Sequence, residues 1–224
     1  MNESQFKYPR STQSQCNLLF TSPIPTKKTS SYHKTISKYG IDITAEDFAT
    51  LTPSGWLNDK IINYYFEMIR EYASHLHTRI YVFSTYFYPT LLRKGPEWIH
   101  TWTRGEDIFS YTYVFIPVHL GAHWIFICVD MNKRMLEYYD SLGGVDKNTI
   151  KAILGYFRSE RIDAEFKIMI KKHIPRQTNS DDCGVFTCYY AKKRIMSLVF
   201  HENINTNELR REMIEEIKQG RINP

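Results

Sequence analysis

The chain has 224 residues, and its 42% hydrophobic and 15% aromatic content is sufficient for the core of one domain of about 180–200 residues plus a tail. The net charge of +5 arises entirely from residues 1–38, which carry six basic residues and one acidic residue, so the neutral remainder does not indicate a nucleic-acid-binding domain. The four cysteines form no pairing pattern and no zinc-type spacing, and no apolar run is long enough to span a membrane, which predicts an intracellular chain without a metal site.

Residues 1–38 are rich in Ser, Thr, Gln and Pro and show no hydrophobic period. A segment of this composition buries too little apolar surface to fold alone. We therefore expect a flexible, basic N-terminal extension over residues 1–38 and one folded domain over residues 39–224. Lys27 and Lys28 are compatible with a nuclear address, so we expect the protein at the nucleus or nuclear periphery rather than in the cytoplasm.

Two helices are predicted next along the chain. Thr44, followed three residues later by Asp47, predicts a capping box at the start of a short helix. After a turn containing Pro and Gly, Asn58 or Asp59 caps a longer helix with one apolar face. Trp56 stands in that turn, where it either packs on the start of the helix or forms the wall of a groove.

The middle of the chain is the clearest β region. Four segments dense in β-branched and aromatic residues predict strands, and one segment between them has helical spacing. The predicted strands are 111–120, 123–130, 135–142 and 165–174, and the predicted helix is 147–160. Antiparallel hairpins combined with helices indicate an α+β layer fold, with helices flanking a central mixed or antiparallel sheet.

The segment PRQTNSDDCGVFTCYY, residues 175–190, changes abruptly from polar to apolar at Cys183. Asp182 is a candidate N-cap, whose carboxylate would accept a hydrogen bond from the first turn of a buried helix. Cys183 then lies in that first turn, where free N–H groups and the helix dipole favour a thiolate nucleophile. The alternative is a small buried apolar side chain, because free cysteines are often buried.

A cysteine nucleophile needs a base, and the base needs an orienting group. In the hairpin formed by 123–130 and 135–142, a turn centred between Met131 and Asn132 makes His123 and Asp140 direct cross-strand neighbours. A turn centred one residue later leaves them diagonal, still within side-chain reach. The alternatives are a histidine bonded locally at a strand end and an aspartate that terminates a strand.

Two further groups would complete an acyl-transfer site. The side-chain amide of Gln177 and the backbone N–H of Cys183 would supply two donors for a tetrahedral oxyanion, although Gln177 is also compatible with an ordinary loop residue. Trp56 and Trp124 would form a flat slot that admits a Gly-Gly segment, and the alternative places both in the core.

At these residues the sequence resembles the ubiquitin-like-protein-specific cysteine proteases, in particular the SUMO (sentrin) proteases. Six motifs carry the resemblance in the family's order over roughly 43–217. They are GWLNDKIINYYF (55–66), VFSTYFYPTL (82–91), WTRGEDIF (102–109), VFIPVHLGAHWIFICVD (114–130), YYDSLGG (138–144) and PRQTNSDDCGVFTCYYA (175–191).

The resemblance implies a papain-like cysteine protease fold with the nucleophile at a helix N-terminus, and cleavage after the Gly-Gly end of SUMO without a metal or cofactor. It implies that His123 is the general base, Asp140 its orienting group, Cys183 the nucleophile and Gln177 the oxyanion donor. The cleaved bond is a peptide bond in the SUMO precursor or an isopeptide bond to a lysine.

The resemblance also implies substrate contacts and partners. Trp56 and Trp124 resemble the residues that sandwich the Gly-Gly tail, and Asp59 resembles a modifier-contacting position. The expected partners are a SUMO-like modifier and its conjugates, with no nucleic acid or membrane span, and the expected state is a monomer. The family usually carries two basic residues just before the Trp-Thr pair, which is Trp102-Thr103 here. This chain has Ile99 and His100 before that pair and no Arg or Lys, so NEDD8 or ubiquitin remains an alternative substrate. A non-catalytic SUMO-binding module is a second alternative.

Overall fold

The computed structural model describes residues 35–200 and 204–224. Most of the predicted extension, residues 1–38, lies outside the described residues, so the domain boundary stays a prediction. Its last three residues, Ile36–Lys38 (β1), are described and pair in antiparallel fashion with Ile41–Ile43 (β2).

A five-stranded sheet organises the described part of the chain. In sheet order its strands are Ile80–Val82 (β3), Tyr113–His119 (β4), Trp124–Asp130 (β5), Met135–Tyr139 (β6) and Lys167–Ile170 (β7). β4, β5 and β6 pair in antiparallel fashion, as the hairpin pattern predicts. The outer pairs, β3 with β4 and β6 with β7, are parallel, because long helix-containing connections separate them in sequence.

Seven α-helices surround this sheet in the described residues. They are Ala45–Ala49 (α1), Asp59–His75 (α2), Phe87–Lys94 (α3), Pro96–Ile99 (α4), Lys147–Glu160 (α5), Cys183–Met196 (α6) and Thr206–Gln219 (α7). The capping box of α1 is present, and Asn58 is the N-cap of α2 and accepts a hydrogen bond from the backbone of Ile61 at 3.0 Å. The predicted helix 147–160 is confirmed as α5, whose N-cap is Asp146.

The two faces of the sheet are covered by different helices. Successive side chains of a strand point to opposite faces, so Trp124, Phe126 and Cys128 of β5 join a core with α2 and α6. Ile125 and Ile127 face a second core, which contains residues of α3 and α5. β5 is therefore buried along its whole length, and the chain forms three layers with the sheet in the middle.

The helix that begins at Cys183 passes through the first of these cores. The ten residues from Cys183 to Lys192 are all buried, and α6 packs between α2 and β5, as the apolar run predicts. The α+β prediction, a mixed sheet flanked by helices with Cys183 at a helix N-terminus, is confirmed. None of the helices in the described ranges is both long and apolar enough to cross a membrane.

Candidate active site

His123 and Asp140 meet at one end of the β5–β6 hairpin. His123 directly precedes β5 and Asp140 directly follows β6. Phe126 pairs with Tyr139, which is the second of the two predicted registers and leaves His123 diagonal to Asp140. The Nε2–H of His123 donates to Oδ1 of Asp140 at 2.7 Å, and both side chains are buried. The sequence prediction that these two side chains interact is confirmed.

The third side chain reaches this pair from the other side of the core. Cys183 is the first residue of α6 and is only 2% exposed, and its thiol is hydrogen-bonded to His123. Because Nε2 of His123 is engaged by Asp140, Nδ1 is the ring nitrogen left for the thiol. A thiol, an imidazole and a carboxylate thus stand in series, the arrangement that activates a nucleophile.

The imidazole is held in its charged form by its two partners. Burial alone would lower the pKa of His123, but the hydrogen bonds with Asp140 and Cys183 outweigh it and raise the pKa to about 9. His123 is therefore expected to be an imidazolium at neutral pH. A cation at this point leaves a proton available for a leaving group.

The raised pKa of His123 predicts a pH-dependent contribution to stability. The pKa is about 9 in the folded chain and about 6.5 in an unfolded one, so protonation favours folding. The contribution is complete below pH of about 6.5 and is lost as pH rises through about 9. We expect the stability advantage of the wild type over His123→Gln to shrink by on the order of 1–3 kcal/mol across this window in urea titrations.

A His173→Gln variant is the matched control for that measurement, because His173 is exposed on the segment after β7. It removes an imidazole that lies away from Asp140 and Cys183, so it measures the effect of losing a surface histidine. A His123→Gln difference that stays constant between pH of about 6.5 and about 9 would contradict the charged contact of His123 with Asp140.

Asp182 does not cap α6 through its side chain, so that prediction is wrong. It occupies the N-cap position, yet its carboxylate makes no bond to the first turn. Instead Oδ1 accepts from Nη2 of Arg210 at 2.6 Å, and Oδ2 accepts from the amide of Asn179 at 2.8 Å. Burial alone would raise the pKa of Asp182, but hydrogen bonds from Thr206, Asn179 and Arg210 lower it.

Gln177 is fixed to the segment that follows Asp140. Its Oε1 accepts from the hydroxyl of Ser141 at 2.6 Å, and its Nε2 donates to the carbonyl of Asn179 at 2.7 Å. An amide nitrogen carries two hydrogens, so one N–H of Gln177 remains for another acceptor. This is compatible with an oxyanion donor, a role that stays a prediction.

The three predicted substrate-binding residues occupy different environments. Trp56 is 49% exposed, whereas Trp124 is 5% exposed and contacts the ring of His119, with ring centroids 4.3 Å apart. The alternative that both tryptophans lie in the core is therefore wrong for Trp56. Asp59 is the first residue of α2, three residues after Trp56. Their substrate contacts remain predictions.

Gly184 is required by close packing beside the thiol. A Cβ at Gly184 would lie 2.8 Å from Cβ of Leu57, well inside the optimal carbon–carbon separation. We expect Gly184→Ala to lower the free energy of unfolding by about 1–3 kcal/mol, although alanine is intrinsically the better helix former. Chemical denaturation measures the change.

The chain offers a matched glycine for this experiment. Gly155 lies within α5 and is exposed, and a Cβ at this position would meet no heavy atom within 4 Å beyond the backbone of its own helix. Gly155→Ala is expected to raise the free energy of unfolding by about 0.5–1 kcal/mol. Stabilisation by both substitutions would contradict the close contact between Gly184 and Leu57.

The sequence interpretation missed Arg210, the largest fully buried side chain of the described residues. Arg210, Met213 and Ile217 follow the helical spacing i, i+3, i+7 and form the buried face of α7 with Glu216. An arginine on the apolar face of a predicted helix is the sequence signal that could have identified Arg210. Within residues 35–200 and 204–224, no group of three or more His, Cys, Asp or Glu side chains is arranged to hold a metal ion.

Comparison with known proteins places this site in a family. The model of the Ulp1 protease family, C-terminal catalytic domain, matches residues 55–221. A sentrin-specific protease of Caenorhabditis elegans is 37% identical over 167 residues, which are 70% of this chain and 24% of that protein. Sentrin-specific protease 2 of Homo sapiens is 33% identical over 166 residues, 69% of this chain and 28% of that protein. The chain thus spans about a quarter of the length of these curated relatives.

Solved structures share the fold. The C-terminal Ulp1 protease domain in complex with Smt3, the yeast ortholog of SUMO, has a TM-score of 0.72 at 24% identity, covering 85% of this chain and 90% of that chain. The Chaetomium thermophilum Ulp1-like SUMO protease catalytic domain has a TM-score of 0.74 at 20% identity, covering 89% of this chain and 86% of that chain. The resemblance that the six motifs carry is confirmed, and the chain belongs to the Ulp1 protease family.

Proposed function

We propose that this chain is a thiol protease that cleaves after the C-terminal Gly-Gly of SUMO, removing SUMO from lysine conjugates, maturing its precursor, or both. The observation that carries the proposal is the buried series of Cys183, His123 and Asp140, in which a thiol at a helix start contacts an imidazole that a carboxylate holds. Family membership and relatives named as sentrin-specific proteases support the choice of substrate.

In the proposed first step, the sulfur of Cys183 attacks the carbonyl carbon of the terminal glycine. The carbonyl oxygen becomes an oxyanion, which the backbone N–H of Cys183 and the remaining N–H of Gln177 stabilise. The carboxylate of Asp182 is bonded to Arg210 and not to the first turn of α6, so this negative charge is paired with a cation beside the start of the helix.

In the second step, the tetrahedral intermediate collapses to a thioester. The imidazolium of His123 gives its proton to the departing amine, which is a lysine side chain in a conjugate or a backbone amine in a precursor. His123 then takes a proton from water, which attacks the thioester. The products are the glycine carboxylate and the regenerated Cys183 thiol.

The proposed substrate slot lies between Trp56 and Trp124. A flat slot between indole rings admits glycine backbone and rejects larger side chains, which would explain a requirement for Gly-Gly. The half-exposed ring of Trp56 supports a role as the outer wall, and Trp124 is tied to the base because it follows His123 directly. Asp59 is proposed to contact the body of the modifier.

The proposal extends to partners and location. The partners are a SUMO-like modifier and SUMO-conjugated proteins, and the chain acts as a monomer without nucleic acid. We place it inside the cell, at the nucleus or nuclear periphery, from the basic composition of residues 1–38.

The test uses SUMO, NEDD8 and ubiquitin, each carrying a C-terminal electrophile. Incubation with the full chain, followed by mass spectrometry, is expected to give a covalent adduct at Cys183 with SUMO. An adduct with NEDD8 or ubiquitin alone would assign the protease to that modifier. Binding of SUMO without any adduct would indicate a non-catalytic binding module.

Two variants make the adduct diagnostic. Cys183→Ala removes the proposed nucleophile and is expected to form no adduct. Cys16→Ser removes a thiol outside the described residues and is expected to leave the adduct yield unchanged. An adduct that disappears only in Cys16→Ser would overturn the assignment of Cys183.

A further inference from the structure

The guanidinium of Arg210 connects three parts of the described chain. Besides its bonds to the Asp182 carboxylate, Nη1 donates to the carbonyls of Thr50 at 3.1 Å and Thr52 at 3.0 Å. Nη2 donates to the carbonyl of Gly55 at 2.7 Å. Arg210 itself lies on α7 and is only 1% exposed. One buried cation from α7 therefore holds the turn 50–55 and the start of α6 together.

Each segment that Arg210 holds directly precedes a residue of the proposed site. Gly55 is followed by Trp56, and Asp182 is followed by Cys183. The turn closes tightly at this point, since a Cβ at Gly55 would lie 2.4 Å from the carbonyl oxygen of Thr50 and only glycine fits. A displacement of the guanidinium would thus be transmitted to both Trp56 and Cys183.

The same cation helps to hold the Asp182 carboxylate, together with Asn179 and Thr206. Aspartate at an N-cap position ordinarily accepts hydrogen bonds from the first-turn N–H groups. Here both Nε and Nη2 of Arg210 donate to Oδ1, at 3.0 Å and 2.6 Å, and no bond to the first turn is made. Two charge-assisted hydrogen bonds to the same carboxylate oxygen are stronger than neutral ones, so they compete with capping.

We infer that Arg210 is a positioning residue of the proposed active centre. Its guanidinium sets the separation between the Trp56 turn and the start of α6, and it holds the Asp182 carboxylate away from the first turn that carries Cys183. The inference rests on the proposed thiol protease activity.

A second buried cation on the same pair of helices provides a contrast. Lys192 of α6 donates to Glu212 at 2.5 Å and to Glu216 at 2.7 Å, both on α7. This network joins α6 to α7 but reaches neither the turn 50–55 nor Asp182. Lys192→Met is therefore the control for the general loss of a buried ion pair.

The first test is the pH dependence of Cys183 alkylation by iodoacetamide, which needs no substrate. The thiol contacts His123, which is bonded to Asp140; Asp181 and Asp182 precede Cys183 in its own loop, and Arg210 of α7 is bonded to Asp182. Arg210→Met removes the cation paired with the carboxylate of Asp182, which then keeps only its hydrogen bonds with Asn179 and Thr206. We expect alkylation near pH of about 6.5 to slow roughly tenfold, because a neighbouring anion disfavours a thiolate.

Substitution of Asp182 is expected to change the alkylation rate of Cys183 in the opposite direction. Asp182→Asn removes the anion while Arg210 stays, so alkylation is expected to accelerate at low pH. Combining Asp182→Asn with Arg210→Met removes both charges, and its rate is expected to return to within about threefold of the wild type, since opposite charge effects cancel. A double variant as slow as Arg210→Met would overturn the inference, because a purely structural role predicts no recovery.

The second test separates charge from hydrogen bonding. Arg210→Lys keeps the cation but loses the fork that reaches Gly55 and Thr50. It is expected to alkylate like the wild type while raising the KM for a SUMO-linked fluorogenic substrate about tenfold, because the Trp56 turn is released. Lys192→Met is expected to lower the thermal midpoint without changing either the alkylation profile or KM. Unchanged KM in Arg210→Lys would contradict the link to Trp56.

The readouts remain decisive under two complications. If Arg210→Met does not fold, Asp182→Asn alone decides the charge effect, and slower low-pH alkylation in that variant would overturn it. If the wild type forms no adduct with any electrophilic modifier, the proposed function fails, whereas the alkylation series still decides the role of Arg210 at the start of α6.

Discussion

Replacing Cys183 by serine is expected to lower kcat for release of SUMO from a conjugate by about 10⁴-fold or more, the scale on which enzymes lose activity when the nucleophile is removed. A serine hydroxyl ionises far less readily than a thiol, so the same contact with His123 activates serine much less. Single-turnover cleavage of a SUMO–lysine conjugate measures the loss.

Substrate binding should survive this substitution. Cys183 is 2% exposed and contributes one small side chain, so Cys183→Ser is expected to bind SUMO within about threefold of the wild type, which is about half of the roughly 1.4 kcal/mol that changes affinity tenfold. Cys188→Ser introduces the same hydroxyl five residues along α6, at a buried position without a contact to His123. It is expected to retain turnover, and cleavage by Cys183→Ser at a comparable rate would assign the nucleophile elsewhere.

The contact between His123 and Asp140 was predictable because it is local. A hairpin places residues at equal distances from its turn opposite one another, so sequence spacing alone limits the pair to a direct or a diagonal arrangement. The observed diagonal register depends on where the turn is centred, which the composition of residues 130–133 does not determine. The predicted contact between the two side chains does not depend on which of the two registers is formed, and it is observed in the diagonal one.

The position of Cys183 against this pair was not predictable from spacing. More than forty residues separate it from Asp140, and a helix N-terminus reaches the end of the sheet only through packing of α6 between α2 and β5. The apolar run after Cys183 predicted burial of the helix but not its direction across the strands. Motif resemblance supplied what the pattern lacked.

The wrong prediction for Asp182 also results from a contact between residues that are far apart in the sequence. Capping is a local preference, and the local sequence favours it. Arg210 lies 28 residues later on another helix, and its two N–H groups offer the carboxylate a charged partner in a buried site. A non-local ion pair thus replaced a local hydrogen bond, an outcome that no window of sequence around Asp182 reveals.

Replacing His123 by glutamine is expected to lower kcat by about 10²–10⁴-fold, the usual contribution of general acid–base catalysis. Glutamine keeps a hydrogen-bonding side chain at the end of the hairpin but neither stores nor releases a proton near neutral pH. His173→Gln, an exposed histidine on the segment after β7, is the control and is expected to leave kcat unchanged.

The pH dependence of His123→Gln separates two roles of the imidazole, which are activation of the thiol and protonation of the departing amine. Raising the pH ionises a thiol without help, so alkylation of Cys183 in this variant is expected to recover at high pH. Turnover of a lysine conjugate is not expected to recover, because the departing amine still lacks the proton that the imidazolium supplies. The turnover rate of Asp140→Asn is expected to lie between those of the wild type and His123→Gln. Its amide oxygen can still accept the hydrogen bonds that Oδ1 accepts from His123 and Leu142, but the negative charge is lost. Parallel recovery of turnover and alkylation in His123→Gln would mean that His123 activates the thiol without acting as the acid.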